Sequence, residues 1–309
     1  MGHHRAFAAL ILIATLTAAT APPLSEARWI APARQFAALT RQPAECFRVP
    51  LIRDEARLAL IGRAAFRAPL LLGGQAARAG LSCASCHRNG RGNPDFRFPG
   101  LSGADGTADV TSSLISSHRG NGVFDPKPIP DLARDAPKIS RDHSKPDLRT
   151  FIHGLITQEF DGVEPPPRVL DGLTVYVRSL GTKTCAAAAT QPITLAGMLE
   201  DARKATTSAR EAWQAGDAET ARLMIGAARS TLGRIDERYA GPMLKAERAR
   251  IAKADQALFV LQQEIDARAT RVPALINAWL VQSRVDGVSL RKAEGTSLFN
   301  AKRLAARLR

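Results

Sequence analysis

Residues Gly80–Asn93 read "GLSCASCHRNGRGN", and the spacing of Cys83, Cys86 and His87 decides what the surrounding chain must be. Two cysteines separated by two residues, with a histidine directly after, fit three chemistries: a zinc knuckle, a redox dithiol or a covalent anchor for haem. A closed zinc site wants four ligands, usually as two such pairs, and no second cysteine pair exists in the chain. A redox dithiol opens a helix after a strand, and nothing strand-like precedes Cys83. Covalent haem gives every residue a task. Each cysteine adds to one vinyl group of the porphyrin, and His87 lands beneath the iron as its proximal ligand.

The amino terminus bears on the compartment. His3, His4 and Arg5 form a short basic region, and Ala6 to Ala19 is an uncharged apolar run too short to span a bilayer. Ser25-Glu26-Ala27 fits the small-x-small pattern of a processing site, so residues 1–27 are expected to be a signal peptide cleaved before Arg28. No later segment is apolar enough to cross a membrane, which implies a periplasmic protein. The formal charge is +14, yet only 5% of residues are aromatic and they are not interleaved with the bases, so nucleic acid is not an expected partner. A basic surface suits an acidic redox partner, or peripheral contact with anionic lipid.

Cys46 and Cys185 stand alone on either side of the motif, and in an oxidising compartment they are expected to form a disulfide. Residues 28–51 read as a lead segment and 52–185 as one domain containing the motif. Within it, apolar spacing predicts helices over Asp54–Phe66, Asp147–Phe160 and Arg168–Leu180, with irregular chain between Arg88 and Lys145. An alanine-rich linker, 186–192, leads to 193–309, which reads as an α-helical bundle or helical-hairpin domain. There Asp217 is a helix N-cap, Gly241-Pro242 ends a helix, and Ile251, Ala254, Leu258, Leu261 and Ile265 form a coiled-coil-like seam. Pro273 and Gly287 are expected to divide the remainder, and Trp213 and Trp279 to belong to the core. The fold class is therefore all-α.

Gly62 and Phe66 in the helix before the motif, "CASCH" itself, and the closing helix "LDGLTVYVRSL" with Tyr176 resemble the three elements of class I cytochromes c. The resemblance spans about Ile52 to Leu180 and implies that the first and last helices cross and cover one edge of a haem. "GRAAFRAPLLLGG", "ISSHRGNGVFDPKPIPDL" and "LRTFIHGLITQEFDG" are similar to the bacterial dihaem cytochrome c peroxidases and the methylamine-utilisation maturation enzymes. In that superfamily, elements like Pro130-x-Leu132 and His153-Gly154 surround a haem pocket. This chain differs in having a single Cys-x-x-Cys-His, where those enzymes pass electrons between two haems.

The sixth iron ligand stays open. Met198, Met224 and Met243 all lie beyond residue 185, so a histidine–methionine haem is not expected. His118, in the loop where the resemblance implies a distal histidine, is the first candidate; His153 is the alternative, and His143 or an open iron remain. Histidine ligation implies a lower potential than methionine ligation. An open iron would need an acid–base group for peroxide chemistry, and Glu159, between one and two helical turns beyond His153, is the candidate. The expected function is electron transfer by a monohaem c-type cytochrome whose helical domain docks a partner or makes an oligomer. The alternatives are a peroxidase-like enzyme using an external donor and a haem-based sensor or scaffold.

Overall fold

The computed structural model describes residues 24–134, 147–181, 185–186 and 189–309. Most of the expected signal peptide, as well as His143, lies outside them. Helix accounts for 62% of the structure and strand for 5%, which places the chain in the all-α class. In the first half run α1 (Gln35–Thr40), α2 (Arg53–Phe66), α3 (Gly74–Arg78), α4 (Cys83–Cys86), α5 (Asp147–Gly154) and α6 (Pro167–Arg178). The second half holds α7 (Leu195–Gln214), α8 (Ala218–Arg238), α9 (Lys245–Asp266), α10 (Val272–Ala293) and α11 (Ala301–Arg307). The strands are short: β1 (Arg41–Pro43) pairs antiparallel with β4 (Thr190–Pro192), and β2 (Thr107–Ala108) with β3 (Lys127–Pro128).

Two glycines decide how the first half packs. α2 and α6 cross at Gly62 and Gly172, where a Cβ on Gly62 would stand 1.9 Å from the Gly172 carbonyl oxygen. No larger residue permits that approach. Around the crossing Val169, Leu173, Tyr176 and Val177 turn inward from α6, Leu180 from just beyond its end, and Ile61, Ala65 and Phe66 from α2. Phe66 and Tyr176 meet edge to face, 5.2 Å between ring centroids. Cys46 and Cys185 form the expected disulfide, with Cα atoms 5.3 Å apart. Beside it β1 and β4 pair, so the segment read as a linker includes a strand at Thr190–Pro192 that returns to the start of the domain.

The second half is a four-helix bundle. Each helix contacts the next, and α10 returns to α7 to close the ring. The short connections after Gln214, Arg238 and Asp266 make sequence neighbours antiparallel. α7 and α8 approach on small residues, with Ala202, Ala205, Ala209 and Ala212 facing a side of α8 that buries Ala221, Ile225 and Ala228. The seam of α9 largely follows the spacing: Ile251, Leu258, Leu261 and Ile265 are buried, and Ala254 is half-buried against the same core. Each such aliphatic side chain contributes about 1.5–3 kcal/mol on burial. The Asp217 side chain accepts from Thr220 N, as an N-cap should.

α10 corrects one expectation. It runs unbroken through Pro273 and Gly287. Pro273 sits in the first turn, where a missing N–H costs nothing. Gly287 is there for space, since an added Cβ would meet Leu199 Cδ1 at 3.2 Å. Trp279 is buried in the core as expected, its Nε1–H donating to the Ala254 carbonyl at 3.0 Å, and Trp213 packs against the same core.

The halves are joined by α2 packing on α7 and α8 and by a clasp from the chain's beginning. Leu24 is buried, Ser25 N and Oγ donate to Glu237 Oε2 at 2.9 Å, and Glu26 meets Arg234 at 3.0 Å. Leu24–Ala27, on the amino-terminal side of the expected cleavage point, are thus packed into the fold.

Candidate functional site

Ser82, Cys83 and Ser85 build the local turn. Ser82 and Ser85 form a reciprocal capping box over α4, with Ser82 N donating to Ser85 Oγ at 3.0 Å. This single turn carries Cys83 and Cys86 and ends at His87. Both thiols are free. Burial pushes their pKa up, to about 11 for Cys83 and about 12 for Cys86. A redox dithiol needs the opposite shift, toward thiolate, so the surroundings do not suit thiol–disulfide exchange. Among the described residues no group of three or more His, Cys, Asp or Glu side chains is arranged to hold a metal ion.

His87 is held by one bond. Its Nδ1 lies 3.0 Å from the Pro130 carbonyl oxygen, which can only accept, so Nδ1 carries the proton and Nε2 keeps its lone pair. Burial pushes the ring's pKa down to about 4, with the Pro130 bond and the Asp131 charge opposing, so the ring is neutral at neutral pH. Pro130 is itself fixed. Leu132 N donates to the Gly90 carbonyl at 3.1 Å, and Arg91 Nε donates to the Asp131 oxygens at 2.9 and 2.8 Å. The chain can turn sharply after His87 because Asn89 and Gly90 both take positive φ, 51° and 73°. Any side chain at Gly90 would strike Leu180 Cδ1, 2.4 Å from its Cβ position.

The walls around the motif are apolar. The Phe66 ring lies 6.4 Å from the His87 ring. Cys86 packs against a cluster containing Leu72, Leu81 and Phe96, with Ile129 and Phe160 at its margin, and Cys83 packs against the main core. Two free cysteines on one turn, a neutral imidazole whose Nε2 has no hydrogen bond among the described residues, and flanking aliphatic and aromatic surface form a donor set that fits a covalently attached haem.

Behind the motif lies a charged network. Glu45 accepts from Arg63 at 2.8 Å, from Arg67 at 2.9 Å and from Tyr176 Oη at 2.8 Å, while Arg63 also meets Asp201 of α7 at 2.7 Å. Burial alone would raise the Glu45 carboxyl, but Arg67 and Arg63, with the Arg63 and Tyr176 hydrogen bonds, outweigh it and hold it down at about 2. Arg67 reaches on to Asn89 Oδ1 at 2.9 Å, linking the network to the residue two after His87.

The remaining candidates group elsewhere. His118 Nδ1 lies 3.1 Å from Asp161 Oδ1 and 3.2 Å from Ser117 Oγ on an exposed loop. The next residue, Arg119, pairs with Glu159 at 3.1 Å, so the His118 loop docks onto the chain following α5. His153 instead bonds Glu164 through Nε2 at 2.7 Å and is not brought to His118 by any contact. α5 does not continue to Phe160 as an α-helix: Leu155–Glu159 form a π-turn. Glu159 ends that turn buried, and its Oε2 has no hydrogen-bond partner among the described residues. Burial raises its pKa, Arg119 opposing and Asp109 adding.

Sequence reasoning did not single out Glu45, Arg63 or Arg67. The one available cue was two arginines four residues apart, in the last turn of α2 and at its C-cap, in line to share a partner.

Compared with known proteins, the chain matches no family model, and no curated protein or solved structure is similar to it. Among the described residues no helix is long and apolar enough to cross a membrane.

Proposed function

We propose that this chain is an exported monohaem c-type cytochrome that transfers electrons, with its helical half docking a partner or joining copies of the chain. The observation that carries the reading is the 3.0 Å bond from His87 Nδ1 to the Pro130 carbonyl. It fixes the ring's tautomer and direction and leaves Nε2 as the ligating atom. Cys83 and Cys86 would hold the haem covalently and His87 would be its proximal ligand. The haem, when bound, supplies one-electron chemistry at its iron. The chain's own residues do the rest. Phe66 and the Leu72–Phe96 cluster keep water from the site, and Pro130 holds the His87 proton at Nδ1. The charge of +14 suits an acidic redox partner in the periplasm, or peripheral contact with anionic lipid. Support for export comes from the disulfide, a bond of oxidising compartments.

The test is expression with a c-type maturation system. Haem that stays with the denatured chain on a gel, and is lost from a Cys83→Ser/Cys86→Ser variant, is the expected result. A chain that acquires no covalent haem there would end the proposal. The spectrum of His118→Ala against His153→Ala then assigns the sixth ligand.

A second reading, peroxide reduction with an external donor, draws support from Glu159. A buried carboxyl with one oxygen unpartnered among the described residues and a raised pKa is suited to hold and pass a proton. It lines a cavity of about 380 Å3 with Arg119 and Phe151. Loss of hydrogen peroxide turnover in Glu159→Gln, with the absorption spectrum unchanged, would favour it; absence of turnover in the unaltered protein would remove it. The sensor or scaffold reading predicts a spectral shift on adding carbon monoxide.

A further inference from the structure

A polar cavity of about 500 Å3 opens where the motif segment meets the bundle. Ala84, Arg88 and Asn89 line it from the motif side, Lys204 and Arg234 from the bundle, and Arg63 and Arg67 from the end of α2 and its C-cap. Its carboxylates are shared unevenly among these cations. Arg63 and Arg67 are matched by Glu45 and Asp201. Glu26 alone serves a second group, 3.0 Å from Arg234, 3.9 Å from Arg238 and close enough to Arg88 for their charges to interact. Two other carboxylates nearby are engaged: Glu237 accepts from Ser25, and Asp95 faces Arg34 at 3.3 Å. Arg88 donates one N–H to the Ala38 carbonyl at 2.7 Å. Glu200, also on the cavity wall, is shared between Arg203 at 3.3 Å and Lys204, which stands 3.9 Å away and makes no hydrogen bond to it. Three arginines thus share the single charge of Glu26, and Arg203 and Lys204 share that of Glu200, so Arg88, Arg234 and Lys204 keep N–H donors and a surplus of positive charge for a guest.

We propose that this cavity binds a small oxyanion of the phosphate or sulfate class, gripped by Arg88 from the motif segment and by Arg234 and Lys204 from the bundle. Guanidinium forks match tetrahedral oxyanions, and charge acts more strongly in a partly enclosed space than on open surface. Because its donors come from both halves, the bound anion holds them together. This goes beyond the haem proposal and does not require it, since no residue that would hold haem donates to the anion.

Calorimetric titration of the full chain with inorganic phosphate, at constant ionic strength set by chloride, tests the site. Saturable binding and a melting temperature raised by several degrees at about a hundredfold excess over Kd are expected. Arg234→Gln should weaken binding about tenfold or more, the loss of one charge-assisted bond. Should that variant fail to fold for want of a partner to Glu26, Lys204→Gln on the half-exposed face of α7 reads the same weakening. Lys127→Gln, on β3, should leave affinity unchanged. Phosphate acting no better than chloride, or equal affinity in the Lys204→Gln variant, would overturn the proposal. So would binding to phosphatidylglycerol vesicles without a response to free phosphate, which would assign the charge to a membrane surface.

Discussion

The two halves of this molecule solve the problem of holding shape by different means. The bundle, α7 to α10, is held by a repeating apolar seam in which each buried side chain has several equivalents. In the motif half, single contacts hold long stretches of irregular chain: one glycine pair at the α2–α6 crossing, one disulfide, one carboxylate serving two arginines and a tyrosine. Redundant packing tolerates change at any one position, whereas singular contacts do not. The site with chemistry belongs to the second kind. A cofactor anchor needs specified directions, and those come from particular bonds rather than from average packing.

The contrast breaks first at Gly62. Gly62→Val puts carbon where the Gly172 carbonyl stands, and the expected loss is about 3 kcal/mol. Thermal unfolding followed by near-UV and far-UV circular dichroism should then separate, the motif half melting ahead of the bundle. Coincident transitions would show that the halves form one cooperative unit.

Glu45→Gln comes next, at about 3 kcal/mol, because two arginines lose their buried counter-charge. The pH dependence has a definite sign. With Glu45 at about 2 in the fold against 4.5 in the open chain, its stabilisation is complete above pH 4.5 and is lost as pH falls from there toward 2. Denaturant titrations across that window should converge for wild type and variant at the acid end.

Glu26→Gln should cost somewhat less, about 2 kcal/mol, since Arg238 keeps its bond to the Leu39 carbonyl at 2.9 Å. A chain truncated to begin at Arg28 should reproduce that loss and exceed it, as Leu24 and Ser25 leave as well. At the small end, Gly233→Ala on the exposed face of α8 meets nothing within 4 Å and should stabilise the bundle by about 0.5–1 kcal/mol. The substitution sharpens the comparison if it raises only the later of two transitions.

What could be read from the chain follows the same division. The α9 seam, the Asp217 cap and the inward face of α6 were visible because periodicity and capping are local. The Cys46–Cys185 bond was visible because cysteine counting leaves few pairings. Gly287 misled because a glycine looks the same in sequence whether it breaks a helix or makes room for Leu199. At the candidate site, Cys83, Cys86 and His87 announce themselves by spacing, but the acceptor that orients His87 is a backbone carbonyl more than forty residues away. A carbonyl carries no side-chain signature. Glu45 was silent for a related reason, since its partners at Arg63, Arg67 and Tyr176 belong to two other elements and meet only after α2 and α6 have crossed.

The Cys46–Cys185 bond has a consequence for what a protease can achieve. It closes a covalent ring across a sequence separation of 139 that contains the whole Cys-x-x-Cys-His segment. One peptide cut anywhere inside that ring leaves two pieces joined through the Cys46–Cys185 bond. The nicked protein would migrate as a single species until a reductant is added, and anything bonded to Cys83 and Cys86 would travel with it.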